Sequence, residues 1–287
     1  MFDRLVDLIA RLPFVKIERP PVVPVVRLVG MIAPAGMIGR ALSLATVAGG
    51  LEAAFGVRGA KAVALIVNSP GGSPAQSALI ARRIRSLAEE KKLPVHVFVE
   101  DLAASGGYWL ACAGDDIHAD ASSIVGSIGV VSAGFGFTGL LEKWGVERRV
   151  HTSGSSKSQL DPFRPENPDD VARLRALQDE IHVAFKDWVR ERRATRLKGD
   201  DATLFEGEYW TGRRALELGL IDGVGHLRDT LRARYGEKVR TPLVGERRGF
   251  SLRRLIGLEA AIPAPDAVAD ALIDAADRRA AWARYGL

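Results

Sequence analysis

The chain has 287 residues, enough for one large domain or two small ones, and its 47% hydrophobic content is that of a soluble globular protein with a sizeable core. Net charge is only +5, from 40 basic and 35 acidic residues, and the basic residues are not interleaved with aromatics, so nothing supports a nucleic-acid partner. The single cysteine, Cys112, excludes an intrachain disulfide and a multi-cysteine zinc site, and its place in an apolar stretch reads as a small buried side chain.

In the first twelve residues Leu5, Leu8, Ile9 and Leu12 share one helical face, while Asp3, Arg4, Asp7 and Arg11 interrupt any continuous apolar run. That pattern is neither a secretory signal nor a membrane span, which needs about 18 consecutive apolar residues. It predicts a helix packed on its own domain or on a neighbouring subunit, with peripheral membrane contact as the alternative. A strand over 22–32 follows a proline-rich entry. A helix over 38–55, a buried strand over 62–68, a helix over 75–92 and a strand over 95–100 come next, with a short helix beginning at Ser105. Further short strands are expected at 116–119, 124–132 and 146–152, a long charged helix at 169–197 and a short helix at 213–218. Repeated strand-then-helix order with wholly apolar strands predicts an α/β fold with a largely parallel sheet. The basic piece 247–254 and the Ala-rich stretch after it predict amphipathic helices outside the catalytic core.

Two turns carry the chemistry. Ser105 lies in Ala103-Ala104-Ser105-Gly106-Gly107, where a buried strand passes into a helix and small neighbours leave room for a substrate. Asn68-Ser69-Pro70-Gly71-Gly72-Ser73 ends the preceding strand. Its glycines allow a backbone turn that points N–H groups outward at the carboxyl edge of the sheet, where open α/β sheets bind ligands. Alone, the second motif reads as an ordinary strand-to-helix turn. Beside a Ser-Gly-Gly at the next strand end, it reads as an oxyanion hole. The base for Ser105 is not evident from spacing. His96 reads as a core residue, His118 and His226 sit beside turns, His182 falls on the charged helix, and His151 opens a small-residue loop that ends in Lys157. A lysine in such a loop is ordinarily solvated.

Several blocks resemble the bacterial signal peptide peptidase A family, the Ser–Lys peptidases of the Clp protease/crotonase-like fold. They are Asn68 to Gly72, Ala104 to Tyr108, Gly126-Ser127-Ile128-Gly129-Val130, Gly154 to Lys157 with Pro162-Phe163-Arg164, and a run of Gly, Tyr, Trp, Thr and Asp between Gly207 and Gly225. They occur in the family's order. The resemblance implies repeated ββα units with helical N- and C-terminal extensions. It divides the chain into an amphipathic extension (1–21), a peptidase domain (22–235) and a basic, then Ala-rich, extension (236–287). It implies Ser105 as nucleophile, Lys157 as general base and Ser127 as the hydroxyl that holds the lysine. Gly72 and Gly106 would supply the oxyanion N–H donors, with Gly71 shaping the turn. No metal or cofactor is implied.

The family often has an aromatic residue just before the lysine, where this chain has Ser156, and many members carry an N-terminal membrane anchor, of which none is expected from the residues here. The expected partners are short, extended, apolar peptides such as residual signal peptides, and further copies of the chain in a homo-oligomeric ring whose active site can be shared. The expected location is cytoplasmic or peripheral to a bacterial membrane. Two other readings stand beside this one: a crotonase-type acyl-CoA-processing enzyme, and a catalytically silent membrane-associated scaffold.

Overall fold

A computed structural model describes residues 20–35, 41–154, 156–245, 275–276 and 279–287. The amphipathic N-terminal stretch, the start of the expected 38–55 helix and the basic piece 247–254 lie outside the described residues.

The sheet is largely parallel. Strands β1 (Val25–Val29), β2 (Val63–Ser69), β3 (Val95–Ala104) and β4 (Asp116–Ala119) lie side by side in chain order. Ala64, Leu65, Val67, Val95 and Val97 are fully buried, because helices cover both faces of the sheet. At ten residues β3 is long enough to serve two neighbours. Its first half pairs with β4 at residues 96–99. Its second half pairs with β5 (Ile124–Gly126) at residues 102–104. A short antiparallel strand, β6 (Tyr209–Thr211), completes that side, and β7 (Gly223–Val224) extends β4.

Helix α1 (Leu44–Phe55) opens with a capping box in which Ser43 and Thr46 satisfy each other's backbone N–H. Helix α2 (Pro74–Lys91) has Pro74 in its first turn and the Ser73 side chain as its cap. It buries Ile80, Ile84 and Leu87 against the sheet. Helix α3 (Gly106–Ala111) is wholly buried. After an exposed short helix, α4 (Thr138–Lys143), comes the long α5 (Pro168–Arg193). The buried apolar side chains of α5, Phe185 and Val189, lie in its second half. Phe185 stacks on Trp109 at 4.6 Å, the Trp188 indole donates to the Trp109 carbonyl, and the buried Arg193 pairs with Asp222. Helices α6 (Asp201–Leu204), α7 (Gly212–Glu217) and α8 (Leu227–Tyr235) finish the order.

Expected strands are lost or cut short in places. The stretch 146–152 is not a strand: it finds no ladder partner among the described residues, and Val146 is half exposed, so alternation there has no sheet to bury against. The strand expected over 124–132 stops at Gly126, because Ser127 turns to a positive φ of 54° and gives its N–H to the Glu208 carbonyl. Trp282 and Tyr285 pack on Leu102, Ala104 and Ile124.

Candidate active site

The site grows from an irregularity between β2 and β3. Val67 pairs with Val99, but Ser69 pairs with Ala103, so β3 carries two extra residues, Glu100 and Asp101. Bulges of this kind re-aim a strand end. Asn68 bridges this one. Its side-chain amide donates to Asp101 at 2.7 Å, and its carbonyl oxygen accepts the Leu102 N–H at 3.2 Å. Ser69 ties the neighbouring turn, donating to the Gly30 carbonyl at 2.7 Å and accepting the Gly71 N–H at 3.2 Å.

Ser105 sits where β3 passes into α3, with φ 52° and ψ −123°. A non-glycine residue in such a conformation costs roughly 1–3 kcal/mol and persists only where its surroundings hold it. Here its N–H donates to the Gly126 carbonyl at 2.9 Å, and its carbonyl accepts from Tyr108 and Trp109 at 2.9 and 3.0 Å. Ser105 precedes the helix, yet its hydroxyl makes no capping bond, which leaves Oγ free. A strained strand-to-helix serine of this sort presents its hydroxyl at a sheet edge. Glycine is required opposite it. A methyl group on Gly71 would lie 2.7 Å from the Gly106 nitrogen and 2.8 Å from both the Ala104 oxygen and the Ser105 Cβ. One on Gly106 would strike the Ser77 hydroxyl. The Pro-Gly-Gly and Ser-Gly-Gly turns are therefore in direct backbone contact. Neither the Gly72 nor the Gly106 N–H has an acceptor among the described residues.

These groups face a cavity of about 700 Å³ lined by Ser105, Gly72, Gly106 and Ser127, with Pro70, Trp109, Val130, Val131 and Phe185 as apolar wall. Gly71 lies behind them and shapes the turn. A larger cavity, about 1070 Å³, opens between residues 132–139 and 158–174 and contains none of this group. Lys157 is exposed, its backbone N–H donates to the Gly154 carbonyl, and it is absent from the cavity wall.

The histidines divide clearly. His96 is a satisfied core residue, bonded to Asp116 through Nδ1 at 2.9 Å and to the Tyr235 hydroxyl through Nε2 at 2.7 Å. Burial alone would raise the Asp116 pKa, but His118, 3.4 Å away, and the hydrogen bonds from His96 and Arg234 outweigh it and hold the carboxyl well below its ordinary range. His151 and His226 are exposed. His182, on α5, lines the Ser105 cavity. Burial pushes the Cys112 thiol up to about 12, which fits an inert packing residue. The sequence reading gave no role to Asn68, Asp101 or Tyr285. Asn68 opens one of the quoted motifs and Asp101 lies two residues before the other; nothing near Tyr285 in the sequence marks it.

The description Peptidase family S49 matches residues 87–239, more than half of the chain, and the chain belongs to that family. It is a peptidase. It is 37% identical over 172 residues to a protein of Methanocaldococcus jannaschii named as a protease, covering 60% of this chain and 54% of that one. It is 34% identical over 182 residues to a protein of Enterococcus faecium named as a signal peptide peptidase SppA, covering 62% and 51%. A longer protein of Brucella abortus is 56% identical over 272 residues, 92% of this chain but 37% of that one, and bears the name Na(+)/H(+) antiporter NhaA. No helix among the described residues is long and apolar enough to cross a membrane. The chain thus spans little more than a third of the Brucella protein and about half of the other two.

Proposed function

We propose that the chain is a serine endopeptidase in which Ser105 attacks the peptide carbonyl and Lys157 of a neighbouring copy is the general base. The observation that carries this reading is the Ser105 turn itself: a strained serine whose hydroxyl makes no cap, beside two N–H groups without an acceptor among the described residues, at the edge of an apolar cavity. The base takes the Ser105 proton as Oγ attacks. The oxyanion is stabilised by the Gly72 and Gly106 N–H groups, each such donor contributing about 3 kcal/mol. The base then protonates the leaving amine, and water, activated in the same way, releases the acyl group. An amine must be neutral to accept a proton, so the base needs a pocket that disfavours its charge. The apolar rim and the Ser127 hydroxyl, which can hydrogen-bond an amine without a carboxylate's pull, suit that need.

The second copy is argued from the surface. Val131, Phe135 and Trp144, on the segment leading to the Lys157 loop, are 65%, 82% and 70% exposed. Together with Leu140 and Val146 they form an apolar arm of a kind that soluble monomers rarely leave uncovered. A closed ring of copies would cover the arm and bring each Lys157 loop to a neighbour's Ser105. The apolar walls favour short, extended, apolar peptides, residual signal peptides among them. Membership of a peptidase family favours peptide over thioester as substrate.

The test is hydrolysis of a quenched-fluorescent, Ala/Leu-rich peptide by wild type, Ser105→Ala and Lys157→Ala. Both variants are expected to lose at least about 10³-fold in kcat. A phosphonofluoridate should label wild type at Ser105. Wild-type turnover by either variant would refute the dyad.

A further inference from the structure

The C-terminal segment forms one wall of the Ser105 cavity. Residues 279–283 are helical, and Trp282 and Tyr285 pack on Leu102, Ala104 and Ile124, the strand ends that hold Ser105 and Ser127. Tyr285 is only 8% exposed. Its ring meets Tyr209 edge-on at 5.1 Å, and the Tyr209 hydroxyl donates to the Arg284 carbonyl at 3.4 Å. The Tyr285 hydroxyl donates to Ser127 Oγ at 3.2 Å. The cavity keeps its 700 Å³ with Arg284 and Tyr285 in place, so the segment walls the cleft without filling it.

The direction of that bond has a chemical consequence. A phenol is more acidic than a serine hydroxyl and is the natural donor of the two. Once Tyr285 donates into one lone pair of Ser127 Oγ, the other lone pair remains to accept an N–H of the amine. A neutral amine has a single lone pair, and giving an N–H to Ser127 leaves that lone pair to take the Ser105 proton. Ser127 held in this way orients the amine with its lone pair toward Ser105.

We propose that Tyr285 is a positioning residue of the peptidase site: its hydroxyl fixes Ser127 as an acceptor for an N–H of the amine that activates Ser105, and the C-terminal segment is an integral wall of the cleft. The inference rests on the Ser105–Lys157 reading.

The test uses the full chain and the same Ala/Leu-rich peptide. Tyr285→Phe keeps the ring and its packing and removes only the hydroxyl. It is expected to lower kcat about tenfold, a fraction of the roughly 10²–10⁴ a positioned base contributes, with KM within about twofold and the melting temperature nearly unchanged. In a Ser127→Ala background the same substitution should have no further effect, because its target is gone. Unchanged kcat in Tyr285→Phe would reduce the tyrosine to packing and overturn the inference. Faster turnover in Tyr285→Phe or Tyr285→Ala would overturn it in the other direction, marking the segment as a plug. If Ser105→Ala and Lys157→Ala are inactive while Tyr285→Phe equals wild type, only this inference fails. If those two variants keep full turnover, the dyad fails and the inference falls with it.

Discussion

Gly71→Ala isolates how much of the site depends on contact between the two glycine turns. Gly71 has φ 95°, and its added methyl would meet the Gly106 nitrogen at 2.7 Å and the Ala104 oxygen and Ser105 Cβ at 2.8 Å. Ordinary contact begins near 3.4 Å, so each neighbour must yield by more than half an ångström, and two of the three are backbone atoms. The backbone conformation alone costs alanine about 1–2 kcal/mol. The forced displacement adds an overpacking cost of about 1–3 kcal/mol. Because the displaced atoms include the Gly106 N–H, catalysis should suffer beyond stability: a misplacement of about 1 Å near the chemistry costs roughly 100-fold. Gly59→Ala is the control, since Gly59 also has a positive φ, 76°, but open space around it. Urea unfolding and peptide hydrolysis should show Gly59→Ala destabilised by about 1 kcal/mol with wild-type kcat. Gly71→Ala should be destabilised by about 3 kcal/mol, with kcat down about 100-fold. If Gly71→Ala matched Gly59→Ala in both measurements, the two turns would not form one catalytic unit.

Asp116→Asn should destabilise by about 3 kcal/mol at pH 7, because it leaves His96 and Arg234 without their shared carboxylate. Since the folded pKa of Asp116 is depressed, its contribution is complete above the unfolded value of about 3.9 and fades as pH falls below it. Urea unfolding between pH 7 and pH 3 should therefore show a shallower acid loss in Asp116→Asn, and identical slopes would refute the assignment. Cys112, buried and with its thiol near 12, should resist iodoacetamide at pH 8 until urea unfolds the chain; labelling of the native protein would contradict that burial. Trp144→Glu, placing a charge on the apolar arm, should shift the protein to smaller species in sedimentation and abolish peptide hydrolysis with the melting temperature of the core retained. An active assembly of wild-type size would refute the arm as an interface.

The sheet and its first helices were legible because local and global signals agree there. The helix expected over 75–92 is Pro74–Lys91, and the strand expected at 116–119 has those bounds. Wholly apolar runs bounded by Pro, Gly and capping serines leave few alternatives for such segments. Glycine chemistry also made the two turns readable: the contact between Gly71 and Gly106 is what the Pro-Gly-Gly and Ser-Gly-Gly motifs permit. The length of β3 was not legible, because its extension past Glu100 depends on Asn68 reaching across to Asp101 and Leu102. The strand expected over 146–152 failed for the opposite reason, since alternation there has no neighbouring edge to pair with. Tyr285 was invisible: it meets Ser127 across 158 positions of sequence, and no local pattern encodes such a contact.

The central claim is that Ser105 draws its base from a second copy of the chain, and mixing two inactive variants tests it most directly. Ser105→Ala and Lys157→Ala are unfolded together at equal concentration, refolded, and assayed on the apolar peptide against each variant refolded alone. In a ring where each site takes its serine from one copy and its lysine from the next, random assembly makes about one site in four complete. The account predicts about a quarter of wild-type turnover in the mixture and none in either variant alone. A mixture that assembles to wild-type size and stays inactive would contradict it.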